Sequence, residues 1–180
     1  MSSQVPLPAT VQYAPDYPIA TARLRLRPFS RGDVDAVFSY RSRADVSEYL
    51  FDHPMTHEEC AEAVRAVERR DDLRLIGEVS LIWRSVPDLQ AEVGYIFHPD
   101  AHGQGFASEA AQALLAFGFE VMALHRIYAR CDARNGASER VMQRLGMRKE
   151  AHFREHMQVK GRWDEELIYA ILEGEWFGPR

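Results

Sequence analysis

The chain has 180 residues and a mass of 20.6 kDa, which suits one domain large enough to bury a core. Its 46% hydrophobic and 27% charged residues exclude an intrinsically disordered chain. The net charge of −5 argues against a nucleic-acid partner, because phosphate binding needs a basic surface. The sequence shows neither an apolar run of roughly 20 residues nor a signal-peptide pattern, so we expect a cytoplasmic protein without a membrane partner.

Neither the cysteines nor the histidines suggest a metal site. Cys60 and Cys131 are far apart and lack the spacing of paired ligands, so we expect two reduced, partly buried thiols. His53 and His57 are four residues apart, but Pro54 interrupts any helix face between them. We therefore predict no bound metal.

The first part of the chain alternates strand and helix signals. Residues 1–20 contain four prolines and are expected to form an extended arm. The period-2 pattern of "RLRLRPF", residues 23–29, predicts a half-exposed strand. A helix is predicted over about 30–42, with these apolar side chains facing the core: Val34, Val37 and Phe38.

The capping-box pair Thr56 and Glu59 predicts a second helix that runs to about Arg69. Beyond it we predict strands at 73–83, 91–98, 126–132, 151–159 and 164–172, and helices at about 105–122 and 137–147. The order β-α-α-β-β-α-β-α-β-β describes a single α+β domain, with a mixed, mostly antiparallel central sheet flanked by helices.

The stretch "HGQGFA", residues 102–107, places two glycines at the start of the long helix. A helix N-terminus offers unpaired N–H groups and partial positive charge, and glycine lets the backbone approach an anion closely. The spacing fits neither the dinucleotide-binding G-x-G-x-x-G nor a Walker loop. Taken alone, the stretch is equally compatible with an ordinary turn and cap.

The succession "AEVGYIFHP", the glycine loop and "ARNGASERVMQRLGM" resembles the GNAT family of acetyl-CoA-dependent N-acetyltransferases. That family's pyrophosphate loop, Q/R-x-x-G-x-G/A, matches residues 102–107, with His102 where Gln or Arg is usual. The opening "TARLRLRPFSRGDVDAV" and the ending "REHMQVKGRWDEELIYAIL" are similar to the branch that acetylates the α-amino group of ribosomal proteins. The resemblance covers residues 21–177 and implies one domain with the acyl-CoA N-acyltransferase fold.

The sequence differs from this branch of the family in one predicted strand. Members of this branch usually carry a strand between the second helix and the strand around "LIGEVSL". Only "RRDD" and a few other residues intervene here, so this strand is expected to be missing or very short.

Carried over by position, the resemblance assigns a set of cofactor-binding residues. Backbone atoms of Ile96 and Phe97 would face the pantetheine of acetyl-CoA, and the Ile96 N–H would polarise the thioester carbonyl. Asn135 would bond pantetheine. The amides of the glycine loop would hold the pyrophosphate, with these residues in or beside the loop: His102, Gly103, Gln104, Gly105, Phe106, Ala107 and Ser108.

The same resemblance implies catalytic roles for several residues. Glu92 would be the general base, with Glu78, Glu155 or a water chain as alternatives. Many family members protonate the leaving thiolate with a tyrosine seven residues after the Asn135 position, but Met142 stands there. Ser138 is therefore expected near the sulfur, although Asn135 and Ser138 also suit a helix cap.

The sequence thus predicts transfer of the acetyl group from acetyl-CoA to a primary amine, directly within a ternary complex. The first candidate acceptor is the α-amine of a protein N-terminus. Alternatives are a small-molecule amine, such as an antibiotic or a polyamine, and a non-catalytic acyl-CoA-binding domain. The expected assembly is a monomer or a homodimer.

Overall fold

The computed structural model describes residues 16–60 and 65–178, and eight strands in these residues form one sheet. The strands are β1 (Ile19–Ala20), β2 (Leu24–Pro28), β3 (Arg65–Arg69), β4 (Leu75–Ser85), β5 (Gln90–Phe97), β6 (Arg126–Asp132), β7 (Arg148–Val159) and β8 (Arg162–Leu172). Their order is β1-β2-β3-β4-β5-β6-β8-β7. Only β5 and β6 pair in parallel; the other neighbours are antiparallel.

Helices cover both faces of the sheet. They are α1 (Val34–Arg41), α2 (Ala44–Ser47), α3 (His57–Cys60), α4 (Phe106–Ala116), α5 (Gly136–Arg144) and α6 (Glu173–Trp176). A 3₁₀ turn precedes α1, and a π-helical turn extends α4 to Val121. The predicted α+β class with a mostly antiparallel sheet is confirmed. Of the predicted arm, residues 1–15 lie outside the described residues, and β1 lies at its end.

The predicted second helix is wrong over its last part, where β3 stands instead. The capping box itself is present: the Thr56 N–H donates to Glu59 Oε2 at 2.7 Å. The described helix ends at Cys60, and residues 61–64 lie outside the described residues. Strand β3 pairs with both β2 and β4, and Val67 is fully buried between them. The strand expected to be missing is therefore present, because long-range pairing overrides the local helical pattern.

One core assignment in α1 also needs correction. Val34 and Val37 are buried as predicted, but Phe38 is 36% exposed and Tyr40 is fully buried. The buried positions recur every three residues, which is the spacing of one helix face. The Tyr40 hydroxyl reaches across to the sheet and donates to Glu78 Oε2 at 3.2 Å. The inner face of α1 is thus anchored to β4.

The two faces of the sheet carry different cores. Helices α4 and α5 cover one face, the back, over a large apolar cluster that includes Leu114, Leu115 and Met142. The other face, the front, carries a small cluster of Val34, Val37, Tyr40 and Cys60, against which Ile96 packs. Both cysteines are buried free thiols, as expected. The thin front layer leaves room above β4 and β5.

Candidate active site

The two parallel strands separate soon after they begin. Strand β5 pairs with β6 only from Gln90↔Arg126 to Glu92↔Tyr128. Beyond Glu92, β5 has no further β6 partner among the described residues, although it continues to Phe97. Backbone N–H and C=O groups are obligatory hydrogen-bonding groups, so this open edge is suited to pair with an extended ligand.

A cavity of about 830 Å³ begins at this opening. It brings together the end of β5, the glycine loop and the start of α5, three segments that are distant in sequence. Ten of the predicted site residues line it: Ile96, Phe97, His102, Gly103, Gln104, Gly105, Phe106, Ala107, Ser108 and Asn135. Ser138 lines it as well, whereas Glu92 does not.

The glycine loop has the backbone geometry of an anion cradle. Gly103 has a φ of 73° and Gly105, the residue before α4, has a φ of 81°, both in the left-handed region that favours glycine. A Cβ at Gly103 would meet open space, so the glycine is required by the backbone rather than by crowding. Together with the positive end of α4, this cradle fits a diphosphate.

Arg23, which the sequence did not single out, supports the loop from behind. Its Nη1 donates to the Gln104 carbonyl oxygen at 3.0 Å, and its guanidinium lies 4.5 Å from the centre of the Phe106 ring. Its Nε also donates to Glu109 Oε2 at 2.7 Å. No local sequence signal could reveal this contact, because β2 and α4 are about 80 residues apart.

The other loop contacts add positive charge and fix the loop to β5. His102 Nε2 lies 2.9 Å from the Phe97 carbonyl oxygen. Arg144 Nε donates to Ser108 Oγ at 3.0 Å, and Arg140 and Arg144 both line the cavity. Two guanidinium groups beside a cradle of amides suit a ligand with several phosphates.

The register of β5 decides which of its amides face the opening. The His98 N–H donates to the Ile76 carbonyl, and Ile96 is paired with Glu78. Because bonded pairs alternate along an antiparallel ladder, the Ile96 N–H points towards β4. The N–H groups of Tyr95 and Phe97 then point towards the opening. From the sequence we expected the Ile96 N–H to face the ligand, but in this register the N–H groups that face the opening are those of Tyr95 and Phe97.

Helix α5 starts at the other side of the opening. Asn135 Oδ1 accepts a hydrogen bond from the Ser138 N–H at 3.0 Å, so Asn135 caps the helix. Ser138 Oγ lies 2.9 Å from the Tyr95 hydroxyl oxygen, which also lies 3.1 Å from the Ser138 carbonyl oxygen. Burial raises the pKa of Tyr95, so its phenol is neutral. Met142, at the position where a tyrosine is usual, is fully buried in the core.

A second cavity, of about 750 Å³, lies on the front of the sheet. Its walls are Arg41, the segment 51–55, and β4 and β5. Tyr95 and Ile96 line both cavities, so the two spaces meet at these residues. This arrangement suits two substrates that approach one another from opposite sides of the sheet.

Glu78 is a partly buried carboxylate in the second cavity. It stands opposite Ile96 in the ladder, and its side chain is 17% exposed. Burial raises the pKa of Glu78, while Arg41, at 3.6 Å, and the Tyr40 hydroxyl partly offset this effect. A carboxylate with a raised pKa beside a cavity is suited to accept a proton.

The other two candidate bases have different surroundings. Glu92 accepts hydrogen bonds from Arg84 Nε at 2.8 Å and from Arg130 Nε at 3.0 Å, one on each carboxylate oxygen. Glu155 is exposed on β7, at a φ of 47°, and lines neither cavity. The structure therefore brings only Glu78 to the meeting point of the two cavities.

Two classes of feature are not found in the part of the chain that the structure describes. No group of three or more His, Cys, Asp and Glu side chains there is arranged to hold a metal ion. None of the helices described is both long and apolar enough to cross a bilayer.

Comparisons with known proteins agree with this geometry. A family model described as an acetyltransferase (GNAT) domain matches residues 23–148. The chain is 38% identical over 168 residues to the uncharacterized N-acetyltransferase YnaD of Bacillus subtilis (strain 168), covering 88% of this chain and 98% of that protein. It is also similar to the crystal structure of a GNAT-family acetyltransferase from Bacillus anthracis, with a TM-score of 0.79 and 35% identity over 84% of this chain and 95% of that chain.

A further similar structure is the spermidine N-acetyltransferase from Vibrio cholerae, solved in complex with CoA and spermine. Its TM-score is 0.78 and its identity 25%, over 88% of this chain and all of the other (100%).

Proposed function

The chain belongs to the GNAT family of acetyl-CoA-dependent N-acetyltransferases, and on this premise we propose that it acetylates the α-amine of a protein or peptide N-terminus. The observation that carries the proposal is the meeting of two cavities at Tyr95 and Ile96. One cavity has the phosphate cradle of a CoA site, and the other holds a partly buried carboxylate. An acetyl donor and an amine bound in them would react by direct transfer in a ternary complex.

The residues that line the donor cavity suit the parts of acetyl-CoA. The amides of Gly103 to Ala107 would hold the diphosphate, with Ser108, Arg140 and Arg144 beside it. Phe97 and Asn135 would contact the pantetheine, as the sequence resemblance implies. The open edge of β5 supports this placement, because pantetheine carries amides that pair with free strand groups.

The carbonyl of the acetyl group needs a hydrogen-bond donor as negative charge develops on its oxygen. The sequence assigned this role to the Ile96 N–H, but the strand register favours the Tyr95 N–H, which faces the opening. A fixed backbone donor costs no reorganisation in the transition state.

We assign the general base to Glu78. It stands opposite Ile96 and lines the acceptor cavity, whereas both oxygens of Glu92 are already bonded to arginines. A terminal α-amine has a pKa of about 8, so it loses its proton more readily than a lysine does. A carboxylate whose pKa is raised by burial is a better match to such an amine than an exposed one.

Ser138 is the group that we place beside the leaving sulfur. It lies in the first turn of α5, a helix of nine residues whose positive end faces the donor cavity. That end and the serine hydroxyl would both stabilise a thiolate.

The lining of the acceptor cavity supports an N-terminal amine. Phe51, Pro54, Met55 and Ile82 give the cavity a largely apolar wall, with Glu78 at the reaction centre. Glu59, another carboxylate of the lining, is already committed to the capping box. Glu78 is the one carboxylate that the described strands contribute to this lining, and a single partly buried carboxylate there suits one amine on a peptide better than a chain of amines.

Small polyamines are the second candidate. The Vibrio cholerae relative is named as a spermidine N-acetyltransferase, and Asp52 adds a further carboxylate to the lining of the acceptor cavity. A polyamine would place its second ammonium group near this residue.

An acceptor panel tests the proposal. Peptides with a free N-terminus, the same peptides with a blocked N-terminus and an internal lysine, and spermidine would each be incubated with acetyl-CoA, and the products identified by mass spectrometry. We expect the highest kcat/KM for free N-termini. Preferred acetylation of spermidine, or CoA binding without acetylation of any amine, would contradict the proposal.

A further inference from the structure

The sequence leaves one catalytic position without its usual residue. A tyrosine seven residues after Asn135 would hold the leaving sulfur, but Met142 stands there and is fully buried. A thioether in the core has no proton to donate. The structure brings a different phenol, that of Tyr95 on β5, to Ser138 in the first turn of α5.

Tyr95 is held on the side of the sheet that carries α5. Its hydroxyl oxygen lies 2.9 Å from Ser138 Oγ, and Tyr95 is one of the residues that line both cavities. The phenol is separated from Ser138 by 43 residues in sequence, so no local motif connects the two.

We propose that Tyr95 is a positioning residue for the departure of CoA: its hydroxyl holds Ser138 Oγ so that the serine proton points at the sulfur. The inference rests on the proposed function only in placing the sulfur beside Ser138. The Tyr95 hydroxyl oxygen lies 2.9 Å from Ser138 Oγ and 3.1 Å from the Ser138 carbonyl oxygen. In the proposed arrangement the phenol proton goes to Ser138 Oγ when CoA is bound, and the serine proton is then free to point at the sulfur.

The chemistry of the step balances without ionising the phenol. The amine nitrogen forms a bond to the acetyl carbon, the C–S bond breaks with its electron pair passing to sulfur, and the thiolate accepts the hydrogen bond from Ser138. The proton lost by the amine passes to Glu78, which returns it to solvent, and CoA takes a proton from solvent as it leaves. Tyr95 stays neutral throughout, in keeping with its buried position.

The chain offers a matched control in Tyr169. This buried tyrosine also donates a hydrogen bond to α5, to Glu139 Oε1 at 2.6 Å, but it lines neither cavity. Tyr169→Phe therefore removes a phenol-to-α5 hydrogen bond without approaching the site. Any effect common to both variants reports the packing of α5 alone.

The test measures the pKa of the CoA thiol in the binary complex, from the ultraviolet absorbance of its thiolate. No acceptor is needed, so the result is independent of whether N-termini are acetylated. A hydrogen bond to a charged group is worth about 1.5–3 kcal/mol, so Tyr95→Phe and Ser138→Ala should each raise the bound thiol pKa by about one unit or more. Tyr169→Phe should leave it unchanged. At a pH below the pKa of the bound thiol, where the thiolate is not populated, the dissociation constant for CoA should change little in all three.

Turnover gives a second readout, with any amine that the enzyme acetylates. We expect Tyr95→Phe to lower kcat about tenfold with little change in KM, and the double variant with Ser138→Ala to be no slower than Ser138→Ala alone. A thiol pKa in Tyr95→Phe equal to that of the native enzyme would overturn the proposal, as would additive losses of kcat. If Tyr95→Phe does not bind CoA, the thiol pKa is measured in Ser138→Ala instead. An unchanged thiol pKa in Ser138→Ala would overturn the proposal.

Discussion

At the scale of single residues, the surroundings of two glutamates decide their roles. Glu78 and Glu92 lie on the same face of neighbouring strands, and the family resemblance gave the role of general base to Glu92. The structure places Arg84 and Arg130 on Glu92 and leaves Glu78 in the acceptor cavity. Those arginines come from β4 and β6, and such pairing cannot be inferred from β5 alone.

The first prediction concerns Glu78→Gln. The base acts when it is ionised, and burial raises the pKa of Glu78. As the pH is lowered, native activity should therefore be lost at a higher pH than it would be with an ordinary glutamate. The variant should lose about 100-fold in kcat/KM near neutral pH. Its defect should shrink as pH rises, because more of the amine is then already deprotonated. Initial rates between pH 6 and pH 9 would measure this (roughly the range in which an α-amine titrates).

Glu92→Gln is the matched control, since it removes a carboxylate from the same sheet face. We expect its pH profile to follow that of the native enzyme. A larger loss in Glu92→Gln than in Glu78→Gln would return the base to Glu92.

At the scale of elements, an ion-pair network ties β3 to the start of α1. Arg27 on β2 donates to Asp33 at 2.7 Å and to Glu68 on β3 at 2.6 Å. The Ser30 N–H also donates to Asp33, closing the turn before α1. The sequence showed a cap at 30–33 but not the strand at 65–69. The local sequence of a short segment with mixed charges can favour a helix, and only pairing with strands on both of its sides makes it a strand.

The second prediction is that Asp33→Asn lowers the free energy of unfolding by about 2 kcal/mol at pH 7. Arg27 lowers the pKa of Asp33 to about 2, below its usual 3.8. The stabilisation is therefore present above pH 4 and lost as pH falls towards 2. Urea unfolding at several pH values would show the difference between native and variant disappearing at low pH. Asp45→Asn, an exposed carboxylate paired with Arg43, should change little at any pH.

The glycine loop is the element for which the sequence gives the most detailed prediction. Its residues are contiguous, so the spacing of Gly103 and Gly105 and the helix that follows were all visible in one short stretch. The contact of Arg23 with the loop was not visible in the sequence, because it depends on how the start of β2 lies beside the loop.

The third prediction is that Gly105→Asp weakens CoA binding about 100-fold or more, because a carboxylate would stand among the amides that hold the diphosphate. Gly161→Asp is the control: Gly161 has a φ of 79°, close to the 81° of Gly105, but lies in the turn between β7 and β8. Both variants carry the same backbone strain, so only the first should change the affinity in calorimetry. If Gly105→Asp and Gly161→Asp bind CoA with the same affinity, the loop does not hold the diphosphate.

At the scale of the whole molecule, the residues proposed for the donor side lie in contiguous motifs, and those of the acceptor side do not. The α+β class and most of the elements follow from local patterns, although the predicted order lacks β3, and the proposed donor residues cluster around 91–108 and 135–138. The acceptor cavity is formed by the segment 51–55 folding over β4 and β5. Its position depends on contacts between distant parts of the chain, which local patterns do not encode.

The fourth prediction is that the enzyme forms no acetylated intermediate. Cys131, whose thiol contacts Ser138, is buried, and burial raises its pKa to about 12, so it is not a nucleophile. Initial rates at varied acetyl-CoA and acceptor should give intersecting rather than parallel lines. Cys131→Ala should retain the native kcat, and intact mass after incubation with acetyl-CoA alone should show no added acetyl group. Parallel lines together with an acetylated cysteine would contradict direct transfer.

The most direct measurement is the crystal structure of the enzyme with bound CoA. The account predicts the diphosphate on the amides of residues 103–107, pantetheine along the open edge of β5, and the sulfur within hydrogen-bond distance of Ser138, facing the cavity that holds Glu78. CoA bound elsewhere, or with its sulfur away from the junction at Tyr95 and Ile96, would contradict the account.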